Sequence, residues 1–254
     1  MSSQRGMDIP GVALVTGGAS GIGKATCILL AEEGVRGLAI ADLSPAAADG
    51  VKEECFKVAS NPKFNCITIP LDVQNEQSVN SMIETVVRTF DRLDYAVNCA
   101  GIGLKKALND TTMDDWNKMI AVNLTGVFAC VKAETQAMLK QEPIESQRAY
   151  QPLQSGAIVN IASLAAAAGL RHSGAYTASK HGVLGITRTA ALDYPSVKIN
   201  AIIPGYIKTP LVDAPGEMRN NALDKVNNWT PMKRFGLPQE IAEGIVWLLC
   251  SRNL

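Results

Sequence analysis

Short apolar blocks alternate along this chain with longer stretches whose apolar residues recur at helical spacing. The blocks at 12–15, 38–41, 66–71, 95–98, 157–161 and 199–203 are apolar on both faces and predict buried strands. The stretches at 22–33, 45–58, 75–90, 114–140 and 174–194, with a last one at 238–250, predict helices. Strand alternating with helix implies βαβ crossovers and a parallel sheet covered on both faces. No internal repeat or long linker breaks the pattern, so residues 1–254 read as a single doubly wound α/β domain.

Composition narrows the function classes. The chain is 47% hydrophobic and 19% charged, enough apolar material for a large core. Its 24 basic and 24 acidic residues cancel, which leaves no electrostatic footprint for nucleic acid or an anionic membrane. No apolar run approaches the ~18–20 residues of a membrane span. Residues 1–10 are polar and lack the apolar core of a secretory signal. The six cysteines (Cys27, Cys55, Cys66, Cys99, Cys130, Cys250) show no C-x-x-C pairing, and His172 and His181 have no metal-ligand spacing. Reduced thiols, a cytoplasmic location and a site without metal are the expectation.

The first strand runs into Gly17-Gly18-Ala19-Ser20-Gly21-Ile22-Gly23 and then a helix, a Rossmann-like strand–turn–helix. Such a turn gathers backbone N–H groups and a helix N-terminus at one point, a favourable place for a pyrophosphate. Gly17, Gly21 and Gly23 follow G-x-x-x-G-x-G spacing, which by itself also fits a plain tight turn. Asp42 ends the second strand nineteen residues after Gly23, where a carboxylate accepts from ribose hydroxyls and repels a 2′-phosphate. A helix-capping role for Asp42 or Ser44 ahead of Pro45 is compatible with that. Asp72 either accepts from an adenine amino group or caps the next helix. Ala100 and Gly101 let a cofactor pass close to the backbone, and Asn98 pins neighbouring backbone groups.

The fifth strand leads to Ser163, and Tyr176 and Lys180 follow one helical turn apart. A nearby ammonium favours phenolate over phenol, so this pair can move a proton without histidine. Each feature alone fits an amphipathic surface or a cap. Together, Thr16–Gly23, Asn98-Cys99-Ala100-Gly101, Ser163 and Tyr176-x-x-x-Lys180 resemble the short-chain dehydrogenase/reductase family. Pro204-Gly205 with Ile207 and Thr209 is similar to that family's cofactor-contacting turn, and Pro231–Gly236 with Glu240-Ile241-Ala242 to its late motif.

The resemblance implies a catalytic set of Asn123, Ser163, Tyr176 and Lys180. Tyr176 is then the general acid/base, Ser163 orients the substrate oxygen, Lys180 holds the nicotinamide ribose and lowers the Tyr176 pKa, and Asn123 supports a proton relay. It also implies cofactor contacts at Gly17, Ala19, Ser20, Gly21, Ile22, Gly23, Asp42, Leu43, Asp72, Val73, Asn98, Ala100, Gly101, Tyr176, Lys180, Pro204, Gly205, Ile207 and Thr209. NAD(H) is expected over NADP(H), because Ser20 precedes Gly21 and Leu43-Ser44-Pro45, directly after Asp42, supplies no Lys or Arg. The activity implied is interconversion of a secondary alcohol and a ketone by hydride transfer. An NADP(H)-dependent ketoreductase, a non-redox biosynthetic enzyme and a dinucleotide sensor are the alternatives. Homodimers or homotetramers through the 114–140 and 174–194 helices are likewise implied.

The chain departs from the family pattern at Cys99, which stands where a second asparagine is usual. It departs again at 141–155, a polar, proline-marked stretch similar to an insertion in fungal members, expected to be a surface loop. Family chains continue past the 238–250 helix into one more strand. This sequence stops at Leu254, so an open sheet edge and a missing tail are expected. Substrate choice is expected from 165–173 and from a lid at 205–229 carrying Met218, Leu223 and Trp229.

Overall fold

All the apolar blocks become strands of one parallel sheet in the computed structural model, which describes Met7 and residues 9–143, 154–213 and 217–250. The strands are β1 (Val12–Thr16), β2 (Gly37–Asp42), β3 (Asn65–Pro70), β4 (Tyr95–Asn98), β5 (Gly156–Ile161) and β6 (Val197–Ile202), in the order β3-β2-β1-β4-β5-β6. The chain winds outward from β1 in both directions, so the crossovers part between β1 and β4. In open α/β sheets that parting opens the ligand crevice at the carboxyl ends of the strands. Registers such as Thr16 with Asn98, and Asn98 with Asn160, bring those ends level.

Nine helices are described: α1 (Gly21–Glu32), α2 (Pro45–Val58), α3 (Glu76–Phe90), α4 (Met113–Ile120), α5 (Gly126–Met138), α6 (Gly174–Asp193), α7 (Pro210–Asp213), α8 (Glu217–Trp229) and α9 (Pro238–Leu249). Alternation along each strand divides the core. Leu14, Ala96 and Ile158 face Met82, Val131 and Val183 from α3, α5 and α6. Val15, Ile40 and Val159 face Leu30, Val51 and Ile245 from α1, α2 and α9. With both faces covered, the strands lack a polar side.

Two elements differ from the sequence expectation. The helix expected at 114–140 is interrupted by a π-helical turn, Ala121–Thr125. Asn123 lies inside that turn, fully buried, and its amide donates to the Ile102 carbonyl (2.9 Å) and accepts from the Ile102 N–H (2.8 Å). A side chain committed to another segment's backbone is a recognised occasion for such a bulge. The second difference lies in 205–229, where α7 and α8 form although the sequence shows little periodicity. The α8 helix anchors only through Ala222 and Val226 among its described side chains, so its apolar stripe is thin. The Met218 side chain lies outside the described residues, as do 144–153 of the expected insertion and 251–254 beyond α9.

Within the described residues β3 and β6 are the sheet edges. None of the six cysteines is in a disulfide. No described helix is long and apolar enough to cross a membrane, and no described cluster of His, Cys, Asp and Glu suits a metal ion.

Candidate active site

The glycine turn owes its shape to backbone conformations and contacts that side chains would obstruct. Gly17 and Gly21 have φ of +64° and +53°, in the left-handed region. A Cβ on Gly17 would stand 2.7 Å from the Ala100 nitrogen, and one on Gly23 would stand 2.2 Å from the Gly17 carbonyl oxygen. The turn therefore packs directly on the loop after β4. Asp42 ties it from the other side: one carboxylate oxygen accepts from Ala19 N (3.0 Å), the other from Ser44 N (3.0 Å). Ser44 is the N-cap of α2 and makes no side-chain cap bond, so Asp42 serves that turn while remaining on the cavity wall.

A cavity of about 490 Å³ runs from this turn across the carboxyl ends of the strands. At the turn its wall includes Gly17, Ser20, Gly21, Ile22 and Gly23, and after β2 it includes Asp42 and Leu43. Asp72, Val73, Ala100 and Gly101 follow from the ends of β3 and β4, then Pro204, Gly205, Ile207 and Thr209 from beyond β6. Ser163, Tyr176 and Lys180 complete the wall. The volume lies in the range of small-molecule and cofactor sites. Glycines where a Cβ would intrude, with a carboxylate at the end of β2, fit a dinucleotide.

Three expected residues stand behind the wall. Ala19 gives its N–H to Asp42, Asn123 is spent on Ile102, and Asn98 is buried beneath the surface. Asp72 accepts from the N–H and side-chain amide of Gln74 (3.0 and 3.2 Å), but the cap of α3 is Asn75, which accepts from Gln77 N and Ser78 N.

Ser163 sits one residue beyond Ala162 at the end of β5, where its hydroxyl accepts from Ala165 N (3.2 Å) and bonds with Tyr176. Tyr176 and Lys180 share one face of α6, with the Lys180 ammonium 5.8 Å from the tyrosine ring centroid. Lys180 is 5% exposed and donates to the Ile161 carbonyl at 2.7 Å. Burial brings its pKa down to about 8. The tyrosine does not show the lowering expected from Lys180. Burial raises it above its ordinary value, opposed by the hydrogen bond with Ser163. With the ammonium turned to a backbone carbonyl, desolvation is the larger effect.

Sequence reasoning missed other parts of the site. Lys118, on α4, adds a cation to the cavity wall beside Cys99, Ile102 and Val122. Glu134, on α5, is fully buried and accepts from the Asn98 amide at 3.0 Å. A signal for it existed: Val127, Cys130, Val131 and Met138 define the buried stripe of α5, and Glu134 falls on that stripe.

A family model described as Enoyl-(Acyl carrier protein) reductase matches residues 17–253. The short-chain dehydrogenase fogB of Aspergillus ruber is 37% identical over 97% of this chain and 93% of its own. This chain belongs to the short-chain dehydrogenase/reductase family. The cyclohexanol dehydrogenase of an Acinetobacter species is 35% identical over 94% of this chain and 87% of that protein. The crystal structure of levodione reductase superposes with a TM-score of 0.83 at 32% identity, covering 96% of this chain and 92% of that one. As a short-chain dehydrogenase/reductase the protein is an oxidoreductase acting on CH–OH groups with a nicotinamide dinucleotide. Its six parallel strands and flanking helices are the Rossmann-like arrangement of its structural neighbours.

A smaller cavity of about 110 Å³ adjoins the reacting centre and shares Ser163, Tyr176, Gly205, Leu211 and Val212 with the larger one. Leu104, Leu164, Leu170, Leu211 and Val212 make it largely aliphatic, while Tyr206, Ser173, Lys105 and Asn221 add polar groups.

Proposed function

We propose that the protein interconverts a compact secondary alcohol and its ketone, with NAD(H) as the dinucleotide. The observation that carries this reading is the meeting of Ser163, Tyr176 and Lys180 on the wall of the cavity that begins at the glycine turn. In the oxidative direction Tyr176 takes the hydroxyl proton, and in the reductive direction it returns it. Ser163 donates to the same substrate oxygen while accepting from Ala165 N, which fixes its rotamer. Lys180 places a cation on the Tyr176 face of α6 and lines the cavity where a ribose passes. Asn123 holds the Ile102 backbone and so the outer wall. Bound NAD(H) supplies the two-electron exchange, taking up or returning the carbon-bound hydrogen with its electron pair.

The aliphatic pocket supports a compact substrate. An apolar cavity of ~150 Å³ holds a benzene ring, so about 110 Å³ open to the larger cavity suits a small ring or short branched chain. The relatives named for cyclohexanol and levodione point the same way. The preference for NAD(H) rests on Asp42 and on the commitments of nearby cations. Lys24 pairs with Glu54 (2.8 Å), and Arg36 donates to the Phe90 carbonyl (3.0 Å). Lys118 favours the second reading, an NADP(H)-dependent ketoreductase. Asp42→Ala and Lys118→Ala, assayed with both dinucleotides, separate the two. NAD preference lost only in Asp42→Ala supports the first, and NADP preference lost only in Lys118→Ala supports the second.

The reading further includes a single domain, a cytoplasmic location and a homodimer or homotetramer. Phe128 and Leu192, 53% and 83% exposed on α5 and α6, support assembly through these helices, and light scattering tests it. The decisive experiment on activity is Tyr176→Phe, assayed against a panel of alcohols and ketones. Turnover falls by ~10²–10⁴ while dinucleotide binding persists; undiminished turnover would overturn the mechanism and leave a binding protein or a non-redox enzyme.

A further inference from the structure

Behind the reacting centre, a line of polar side chains crosses the core without touching either cavity. Glu134 on α5 accepts from the Asn98 side-chain amide (3.0 Å), and the same amide donates to the Asn160 side-chain oxygen Oδ1 (2.9 Å). The Asn160 amide donates to the Thr187 hydroxyl (3.0 Å), which donates to the Val183 carbonyl (2.7 Å). The line thus joins α5, the last residue of β4, its partner in β5 and α6. Glu134 and Asn160 are fully buried, and Asn98 and Thr187 are 2% and 5% exposed.

Its far end reaches the chemistry. Asn160 precedes Ile161, whose carbonyl holds the Lys180 ammonium. Thr187 lies two helical turns beyond Lys180, on the same side of α6. We propose that Glu134 is a positioning residue for Lys180, acting through Asn98 and Asn160 to fix the Ile161 carbonyl and α6 at one separation. The inference rests on the functional reading above only in giving Lys180 a role in turnover.

The bonding count explains why a carboxyl group stands there. Glu134 Oε1 and Asn98 Oδ1 are both buried without a hydrogen-bond partner. Two acceptors facing no donor make an ionised carboxylate unfavourable. Burial pushes the Glu134 pKa up to about 7, and the neutral acid supplies one of the missing donors. The other titratable group that shares its field is Cys130, one turn earlier on α5, a thiol kept protonated by burial. A leucine at 134 would take away the acceptor that holds the Asn98 amide and leave the line unseated. Displacement of catalytic groups by ~1 Å can cost ~100-fold in rate.

The test compares Glu134→Leu, Glu134→Gln and the control Met138→Ala, a fully buried residue on the same helix against Gly156. Lys180 is titrated by NMR in protein carrying labelled lysine side chains, with Lys180→Met assigning the signal. Glu134→Leu is expected to move the Lys180 midpoint upward by about half a unit or more, because water admitted beside the ammonium relieves the burial that lowers it and outweighs the loss of the Ile161 carbonyl as acceptor. Its kcat falls ~10-fold or more, with KM for the dinucleotide within ~2-fold. Glu134→Gln, which keeps an acceptor and adds a donor, restores both. Met138→Ala lowers Tm without moving the midpoint. Should Glu134→Leu not fold, Thr187→Val removes the acceptor at the other end and is expected to shift Lys180 in the same direction. An unmoved Lys180, or an equal shift in Met138→Ala, overturns the proposal. The titration needs no substrate, so it stands even if Tyr176→Phe retains full turnover and the functional reading falls.

Discussion

The two ends of the sheet hold similar polar groups and use them in opposite ways. At the amino ends of β1, β4 and β5, Asp94 is 3% exposed and accepts from Val12 N (2.8 Å), from Arg92 Nε (2.8 Å) and from the Gln141 amide (3.3 Å). Gln141 in turn donates to the Leu93 and Ser155 carbonyls (2.7 and 2.9 Å) and accepts from Leu93 N (3.0 Å). Arg92 also reaches the Glu142 carbonyl (3.1 Å). At the carboxyl ends stand another carboxyl, another amide and another cation: Glu134, Asn98 and Lys180. There the bonding is incomplete. Glu134 and Asn98 each keep an unpartnered buried oxygen, and Lys180 rests on one carbonyl with its pKa brought down to about 8. A carboxylate with its partners in place ties strands together, whereas a buried carboxyl and a buried ammonium with incomplete bonding are held at shifted pKa values behind and beside the cavity.

Exchanging stability for activity should separate the two ends. The largest effect is expected for Lys180→Met. Turnover drops by ~10³ or about 4 kcal/mol, while Tm holds or rises because a desolvated ammonium is replaced by an apolar chain of similar length. A clear fall in Tm would place Lys180 with the structural groups. Asp94→Ala is the mirror image. It strands Arg92 and the Val12 amide, costs ~3 kcal/mol of stability, and leaves kcat per folded molecule unchanged; denaturant melts and active-site titration read both quantities.

The pH dependence of stability gives the next contrast. Glu134 has its pKa raised from 4.5 to about 7 in the folded protein, so between those values the unfolded chain has lost a proton that the native chain retains. Its contribution is fully present below 4.5 and is lost as pH rises through 7. Urea midpoints of wild type minus Glu134→Gln should therefore decline across that window, and a flat difference would show Glu134 ionised throughout. The smallest effect is expected at the late motif. A Cβ on Gly236 would meet the tip of the Ile207 side chain at 2.6 Å, and Ile207 lines the dinucleotide cavity. A flexible side-chain tip can yield, so Gly236→Ala should weaken dinucleotide binding only ~2–5-fold, measured by fluorescence titration.

The strands were legible because burial on both faces leaves continuous apolar runs, such as Val12 to Val15, that few other structures need. The glycine turn, Asp42 and Ser163 were legible because they stand at strand ends, and Tyr176 and Lys180 because a spacing of four puts them on one face of α6. Three features were hidden for physical reasons. The π turn leaves the apolar content of 114–140 nearly unchanged, so periodicity reports one helix. The α8 helix keeps too little of its surface in the core to show a stripe. Glu134 belongs to a residue type that is rarely buried, and only its position on the α5 stripe betrays it. The behaviour of Tyr176 was beyond sequence altogether, because one-turn spacing to Lys180 does not reveal that the ammonium turns to Ile161.

The π turn at Ala121–Thr125 has a consequence for the timing of the helix around it. A regular helix fixes the angular phase of every residue from the first, at ~100° each. A wider turn resets that phase, so α4 and α5 keep independent bearings although they form nearly one rod. That freedom lets α4 face α6 while α5 presents its stripe to α3 and, with it, Glu134 to the core. Deleting one residue from the turn would restore a uniform phase and rotate one half against the other. The turn works as a vernier, an adjustment finer than whole-helix movement allows.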